Sequence, residues 1–332
     1  MKEQPKVSVI MSTYKTPEKY LKKSIDSILK QSYKNIEFII VCDGAVEDYE
    51  YIKKYRDNRI RAIMNESNKG LAKSLNDAIN ISTGKYIVRM DSDDVSLKNR
   101  IKIQVKYMEE NKNIIVSDMR AKCFGESNDI KYTFNNRPNE MEIQLLYKNC
   151  LIHPATIIRK QFFDENNIRY NEEFKCSQDF ELWTRLAKEN NIAQIKRIGL
   201  KYRIHNKQIS ISKKEIQNQL KNIVLERNAK KLKGQNTKNT LLFLNGEKNI
   251  TLDNFEEFLE GIEELIKYNS EIFGKTTLKK VLYNRIFQLI IRDTHLLKAF
   301  LKDKTKWKYI FTCNNIIYII SKVISRIIYI IY

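Results

Sequence analysis

The stretch that decides the fold is Gly84-Lys-Tyr-Ile-Val-Arg-Met-Asp-Ser-Asp-Asp94. Tyr86 to Met90 reads as a short strand, and it runs directly into three carboxylates, Asp91, Asp93 and Asp94. In an open α/β sheet, ligands bind beyond the carboxyl ends of parallel strands. Acids crowded at such an end repel one another and must be hydrated or neutralised. A divalent cation is the simplest neutraliser. Asp-x-Asp offers two hard oxygen ligands to Mg²⁺ or Mn²⁺ and leaves the other positions to water and phosphate oxygens. A solvated turn is the plain alternative, since Asp and Ser are ordinary turn residues. The flanking sequence decides against it.

Upstream, Val7 to Met11 is a continuous apolar run ending at Ser12-Thr13-Tyr14, as a strand buried on both faces should look. Thr16-Pro17-Glu18 reads as an N-cap followed by proline at the first helical position. Tyr20, Leu21, Ile25, Ile28 and Leu29 then predict a helix over 17–31. A second buried strand, Ile36 to Val41, closes on Cys42-Asp43-Gly44, and a charged helix near 47–56 leads to a third, Ile60 to Met64. Asn68-Lys69-Gly70 turns into a helix marked by Leu71, Leu75, Ala78 and Ile79. This alternation predicts a doubly wound α/β sheet flanked by helices. Its first loop carries neither G-x-G-x-x-G nor G-x-x-x-x-G-K-[ST], which argues against a dinucleotide cofactor or a P-loop.

Downstream, the pattern predicts a helix over 98–111 and a strand at 114–117, followed by a polar, irregular region to about 150. His153-Pro154, Gln178-Asp179 and Tyr202-Arg-Ile-His-Asn206 stand out beyond it. Asp179 heads an amphipathic run (Phe180, Trp183, Leu186) and by itself would be read as a helix cap. His153 is expected to be structural. After Ser212 only long helical stretches follow, so the expected division is a catalytic domain over 1–212 and a helical extension over 213–332.

Five cysteines, odd in number and without a C-x-x-C pair, speak for a reducing compartment and against a zinc site or disulfide frame. Val7 to Met11 is too short for a signal-peptide core, and the expectation is a cytoplasmic protein. A net charge of +20 calls for an anionic partner: nucleic acid, a membrane surface or phosphorylated ligands. No helix-turn-helix, zinc-finger or RNA-recognition signature accompanies it, so nucleic acid is not expected. From Lys275 to Arg326, twelve Lys/Arg face two acids, which places half of the excess in the C-terminal end. There Ile316, Ile317, Ile319, Ile320, Val323, Ile324, Ile327 and Ile328 are interrupted by Ser321, Lys322, Ser325 and Arg326 on one helical face. The apolar run is shorter than the ~20 residues a spanning helix needs. A basic-faced helix lying in the headgroup plane of an anionic membrane is the expectation, with a core or homodimer-interface helix as its alternative.

The order VSVIMSTYK, FIIVCDG, NKGLAKSLNDAI, GKYIVRMDSDD resembles the family 2 glycosyltransferases of GT-A fold, especially the bacterial enzymes that build capsule, O-antigen and related surface polysaccharides. The resemblance covers residues 5–212. It implies an inverting, metal-dependent transferase that moves a sugar from a nucleoside-diphosphate donor, UDP-linked, to a saccharide hydroxyl. The acceptor could be polyprenyl-diphosphate-linked, with the enzyme peripheral on the inner face of the plasma membrane. Ser12, Thr13 and Tyr14 match the segment lining the nucleotide base, and Asp43 the acid on the uracil edge or ribose. Asn68 and Gly70 match the loop closing over the nucleotide, and Asn76 the helix behind it. Asp91 and Asp93 match the ribose and metal ends of the Asp-x-Asp motif, Ser92 lies between them in the nucleotide set, and His205 matches a ligand of the diphosphate or metal. Asp179 matches the general base, although the usual preceding Glu is Gln178 and the usual first acid of Asp-Asp-Gly is Cys42. A transferase-like domain without catalysis that binds a partner at the membrane is the alternative function.

Overall fold

The computed structural model describes residues 4–125, 130–131, 138–188, 191–205, 213–246, 248–291, 293–307 and 309. The C-terminal apolar segment beyond 309, and with it most of the expected membrane-lying helix, is outside the described residues. The chain divides into two compact units, one of residues 1–142 with 149–221 and one of 143–148 with 222–332.

The first unit is built on β1 (Val7–Thr13), β2 (Ile36–Asp43), β3 (Ile60–Asn65) and β4 (Tyr86–Asp91), which lie parallel in the order β3-β2-β1-β4. Helices α1 (Glu18–Leu29), α2 (Val46–Lys53) and α3 (Leu71–Ile81) make the crossovers. The apolar runs form strands because both sheet faces are covered. Val7, Val9, Ile10 and Met11 are all fully buried, as are Ile39, Ile40 and Val41 of β2. Helix α1 starts at Glu18 without a side-chain cap. Thr16 does not cap it, because its hydroxyl is engaged by Ser92 and Thr13 and its N–H by Asp48; the first turn closes instead on the Pro17 carbonyl.

Beyond β4 the sheet becomes mixed. Strand β8 (Ile157–Arg159) pairs antiparallel with both β4 and β6 (Val116–Gly125). Strand β6 runs parallel to the long β9 (Ile192–Ile204), and the two-residue β5 (Val95–Ser96) closes that edge against β9. The region expected to be irregular from 118 thus contains most of β6, with the short β7 (Ile130–Lys131) paired to it and α5 (Pro138–Leu145) following. Two register shifts around Arg120 break the alternation of β6 against β9. That local loss of period two hides both strands from a pattern reading. Helices α4 (Arg100–Glu110), α6 (Lys160–Glu165) and α7 (Gln178–Leu186) complete this unit with the N-terminal half of α8 (Lys214–Ala229).

The second unit is helical, with α9 (Thr237–Asn245), α10 (Phe255–Phe273), α11 (Lys275–Ile290) and α12 (Thr294–Lys302). Its core gathers Leu241, Phe243, Phe258, Ile262, Leu282, Ile286 and Phe300. Asp293 caps α12, its carboxylate accepting from the N–H groups of His295 and Leu296 at 2.8 and 3.0 Å. Among the described residues no helix is long and apolar enough to cross a membrane.

Candidate active site

The strand order reverses between β1 and β4, and a doubly wound sheet opens its ligand crevice at such a switch point. Ser12 and Asp91 are register partners there, and Thr13 lies beside Cys42 at the end of β2. Asp43 lies beside Asn65 at the ends of β2 and β3. The residues singled out on three strands therefore share one edge of the sheet.

Asp91, Asp93 and Asp94 bring carboxylate oxygens within 4.8 Å of one another. Asp91 is paired with the Arg89 guanidinium at 2.5 Å, and its carbonyl accepts from the Ser24 hydroxyl at 2.7 Å. His205 Nε2 is 2.9 Å from Asp93 Oδ2. Asp94 is buried; one oxygen accepts the Arg203 N–H at 2.8 Å while Oδ2 has no hydrogen-bond partner among the described residues. Burial, followed by the charges of Asp91 and Asp93, holds the Asp94 carboxyl well above the usual carboxylate range. Burial and Asp91 raise Asp93 as well, against the opposing effect of His205. A buried carboxylate oxygen with nothing to bond, inside a group of hard oxygen donors, fits an Mg²⁺ or Mn²⁺ ion.

Two cations organise the cluster, and neither stood among the expected site residues. Arg89 is almost wholly buried in β4, two positions before Asp91. A lone charge inside an apolar strand was the available signal. The Arg203 guanidinium lies 3.8 Å from the Tyr20 ring centroid and 4.3 Å from that of Phe124, while its Nε donates to the Asp93 carbonyl at 2.8 Å. A desolvated sandwich of this kind is worth about 2 kcal/mol or more. It anchors the end of β9, and so His205, against the acidic loop.

Asp43 is buried and accepts three hydrogen bonds. Oδ1 accepts from Asn65 Nδ2 at 3.0 Å and the Lys69 N–H at 2.8 Å, and Oδ2 accepts the Gly70 N–H at 2.8 Å. Its carboxylate thereby ties down the 68–70 turn. Gly70 (φ 93°) needs the left-handed region. Gly44 (φ 76°) lies under the same turn, where a Cβ would come within 2.5 Å of the Asn68 nitrogen. Asn68 itself is exposed, as is Tyr14 (47%). Asn76, on α3, clamps Tyr170 through both its N–H and its carbonyl. Thr13 belongs to a chain of hydroxyls: Ser92 Oγ to Thr16 Oγ1 at 2.8 Å, Thr16 to Thr13 at 2.9 Å, and Thr13 Oγ1 donating to Asp48 Oδ2 at 2.6 Å. Ser92 and Thr13 are thus linked to each other through Thr16.

Asp179 lies in the first turn of α7, partly exposed, and accepts from Asn149 Nδ2 at 2.7 Å. Ser177 (φ 57°) occupies the capping position without a side-chain bond to the helix, its hydroxyl donating instead to the Gln217 carbonyl at 3.4 Å, so Asp179 is not the N-cap. Burial pushes its carboxyl above the usual range; the Phe180 N–H, Asn149 and the Arg89 charge oppose that rise. Arg89 also acts on Tyr170, which feels the charges of both Asp179 and Asp91. The Arg89 charge thus bears on Asp91, Asp94, Asp179 and Tyr170 alike. His153 is buried, bonded to the Tyr170 hydroxyl at 2.7 Å and packed on Trp183, and burial keeps it neutral. It is structural.

The first unit is an α/β domain with acids at its strand ends, and solved structures share the fold. A fragment of S. aureus TarS in complex with UDP-GlcNAc superposes with a TM-score of 0.59 at 19% identity, covering 85% of this chain and 87% of that one. The fold is GT-A. The model of glycosyl transferase family 2 matches residues 8–166. An uncharacterized glycosyltransferase of Methanocaldococcus jannaschii is 36% identical over 223 residues, 64% of this chain and 75% of the relative. The UDP-Glc:alpha-D-GlcNAc-diphosphoundecaprenol beta-1,3-glucosyltransferase WfgD of Escherichia coli is 32% identical over 219 residues, 64% and 83% of the two chains. The chain belongs to glycosyltransferase family 2, and it is a glycosyltransferase.

Proposed function

We propose that this enzyme transfers a sugar from a UDP-sugar to a saccharide hydroxyl, with inversion, in the synthesis of a bacterial surface polysaccharide of the capsule or O-antigen kind. The observation that carries the reading is a pair of acidic functions: the strand-end cluster with its buried Asp94 oxygen, and Asp179 in the first turn of α7. Asp91, Asp93, Asp94 and His205 would hold Mg²⁺ or Mn²⁺, whose charge neutralises the departing diphosphate. Ser12, Tyr14, Asn68 and the turn tied by Asp43 to Gly70 line the nucleotide side, while Thr13 and Ser92 set the spacing of that wall through Thr16. Asp179 accepts the proton of the acceptor hydroxyl as its oxygen bonds to the anomeric carbon on the face opposite the leaving diphosphate. The proton then passes from Asp179 to solvent.

The acceptor named for WfgD is a lipid-linked diphosphate sugar, and an acceptor of that chemistry suits a C-terminal segment resting on the membrane. On this reading residues 1–212 carry catalysis and 213–332 the approach to the acceptor surface, at the inner face of the plasma membrane.

The test is a panel of nucleotide sugars with Mn²⁺, scored for transfer and for the anomeric configuration of the product. Asp179→Asn keeps shape and removes basicity, so kcat should fall by roughly 10²-fold or more with donor affinity preserved. Because the folded carboxyl of Asp179 is raised, the wild-type rate should decline with falling pH at a higher pH than for an ordinary aspartate. Retained donor configuration in the product would refute the inversion, and near-wild-type turnover of the variant would remove Asp179 as base.

A further inference from the structure

A cavity of about 1040 Å³ opens beside α1, β5 and the later parts of β6 and β9, and none of its lining residues belongs to the carboxylate cluster. Six lysines converge on it from separate parts of the chain: Lys23 of α1 and Lys30 at its C-terminal cap, Lys34 before β2, Lys98 after β5, Lys122 of β6 and Lys201 of β9. All six are exposed. Among the described residues one acid, Asp26, joins them; it is engaged by Lys22 at 2.9 Å and the Tyr55 hydroxyl at 3.2 Å and pairs with Lys30 at 3.7 Å, which leaves the other five lysines without an acid of the lining. Lys122 and Lys201 are register neighbours on β6 and β9. Like charges set side by side on a sheet oppose folding, so this pair is tolerated at a cost unless an anion offsets it. A solvated helix face would place lysines along one element; here five segments aim them at one hollow with an apolar floor of Leu29, Val95 and Phe124.

We propose that this groove seats the phosphate headgroup of an anionic phospholipid and docks the first unit on a membrane surface. Its cations are all lysines, point charges that gain from a dense field of negative headgroups without needing a fixed bidentate geometry. Nucleic acid fits less well, because the one aromatic ring of the lining, Phe124, is already covered by the Arg203 guanidinium at 4.3 Å and is not available for base stacking.

The experiment uses the full chain and no donor sugar, so its outcome is independent of transfer activity. Co-sedimentation is measured at low salt with phosphatidylcholine vesicles, with and without phosphatidylglycerol. Lys34→Gln/Lys122→Gln/Lys201→Gln should lower the partition coefficient on phosphatidylglycerol vesicles by about a hundredfold. Lys54→Gln/Lys102→Gln/Lys175→Gln, which removes the same charge from exposed positions outside the groove, should leave it near wild type. Equal loss in the two variants would show diffuse attraction and overturn the proposal, as would full binding by the groove variant. Two further arms address other anions. If inorganic pyrophosphate stabilises the wild type but not the groove variant while vesicle binding is unaffected, the ligand is a soluble phosphate and the proposal fails. It fails equally if the groove variant loses only the retention of a short single-stranded RNA.

Discussion

Asp94 Oδ2 is the atom on which the metal question turns. A carboxylate oxygen buried without a hydrogen-bond partner is costly, and the protein can relieve it by holding a proton or a cation. The raised carboxyls of Asp93 and Asp94 describe the proton-bound state; a divalent ion displaces those protons, so affinity should rise with pH. Adding Mn²⁺ should therefore raise Tm by mass action. Asp93→Ala removes one ligand together with its bond to His205 and also relieves repulsion, so it should stay folded, lose the Mn²⁺-dependent rise and lose transfer. Undiminished activity in chelator would show that the cluster works without a metal. Arg89 matters at the same scale, because its charge is the permanent counterion of Asp91 and cannot be titrated away near neutral pH.

Between elements, the crossing of the turn after β2 with the turn before α3 is built on absence of a side chain. Gly44→Ala would put a Cβ 2.5 Å from the Asn68 nitrogen and force an L side chain into φ 76°. The strain alone is about 1–3 kcal/mol. The 68–70 turn must shift, so donor KM should rise more than kcat falls. A normal KM in a folded G44A protein would remove this turn from the donor site. The β6–β9 pairing carries a different signature. Asp118 of β6 is fully buried, accepting from the Ile152 N–H at 2.8 Å and from Gln194 Nε2, and burial pushes its carboxyl up to about 7. Between about pH 4 and pH 7 the folded chain then holds a proton that the unfolded chain releases. Stability should fall as pH rises through that window, by on the order of 4 kcal/mol from this residue. Asp118→Asn should flatten the slope, which urea midpoints at about pH 5 and about pH 8 would measure. An unchanged slope would mean that Asp118 ionises normally in the folded state.

Over the whole molecule, the charge of +20 and the basic C-terminal end set its relation to surfaces. Deleting 307–332 should weaken binding to anionic vesicles while sparing transfer to a water-soluble acceptor, and binding should fall steeply with salt. Loss of dimers rather than of vesicle binding on that deletion would assign the segment to a homodimer interface. The two units differ in kind: a strand-rich one with long-range pairing and a helical one with mostly local contacts. The first should form more slowly on topological grounds.

Buried apolar runs ended by polar turns determined the parallel half of the sheet from sequence alone, since a strand covered on both faces needs little else to be recognised. The same signal placed Ser12, Asp43 and Asp91 at strand ends, where an α/β sheet binds ligands. What tertiary structure decided were the properties created by neighbours from distant chain segments. Register shifts concealed β6 and β9, and so the strand that carries Arg203 and His205 to Asp93, 112 positions away in the chain. The Asp43 carboxylate, expected on the nucleotide, also holds backbone N–H groups of the 68–70 turn. The buried Asp94 oxygen, the raised Asp179 and the common field of Arg89 exist only once folding has removed water from between them, because desolvation, more than residue identity, shifts a carboxylate and gives a buried guanidinium its reach.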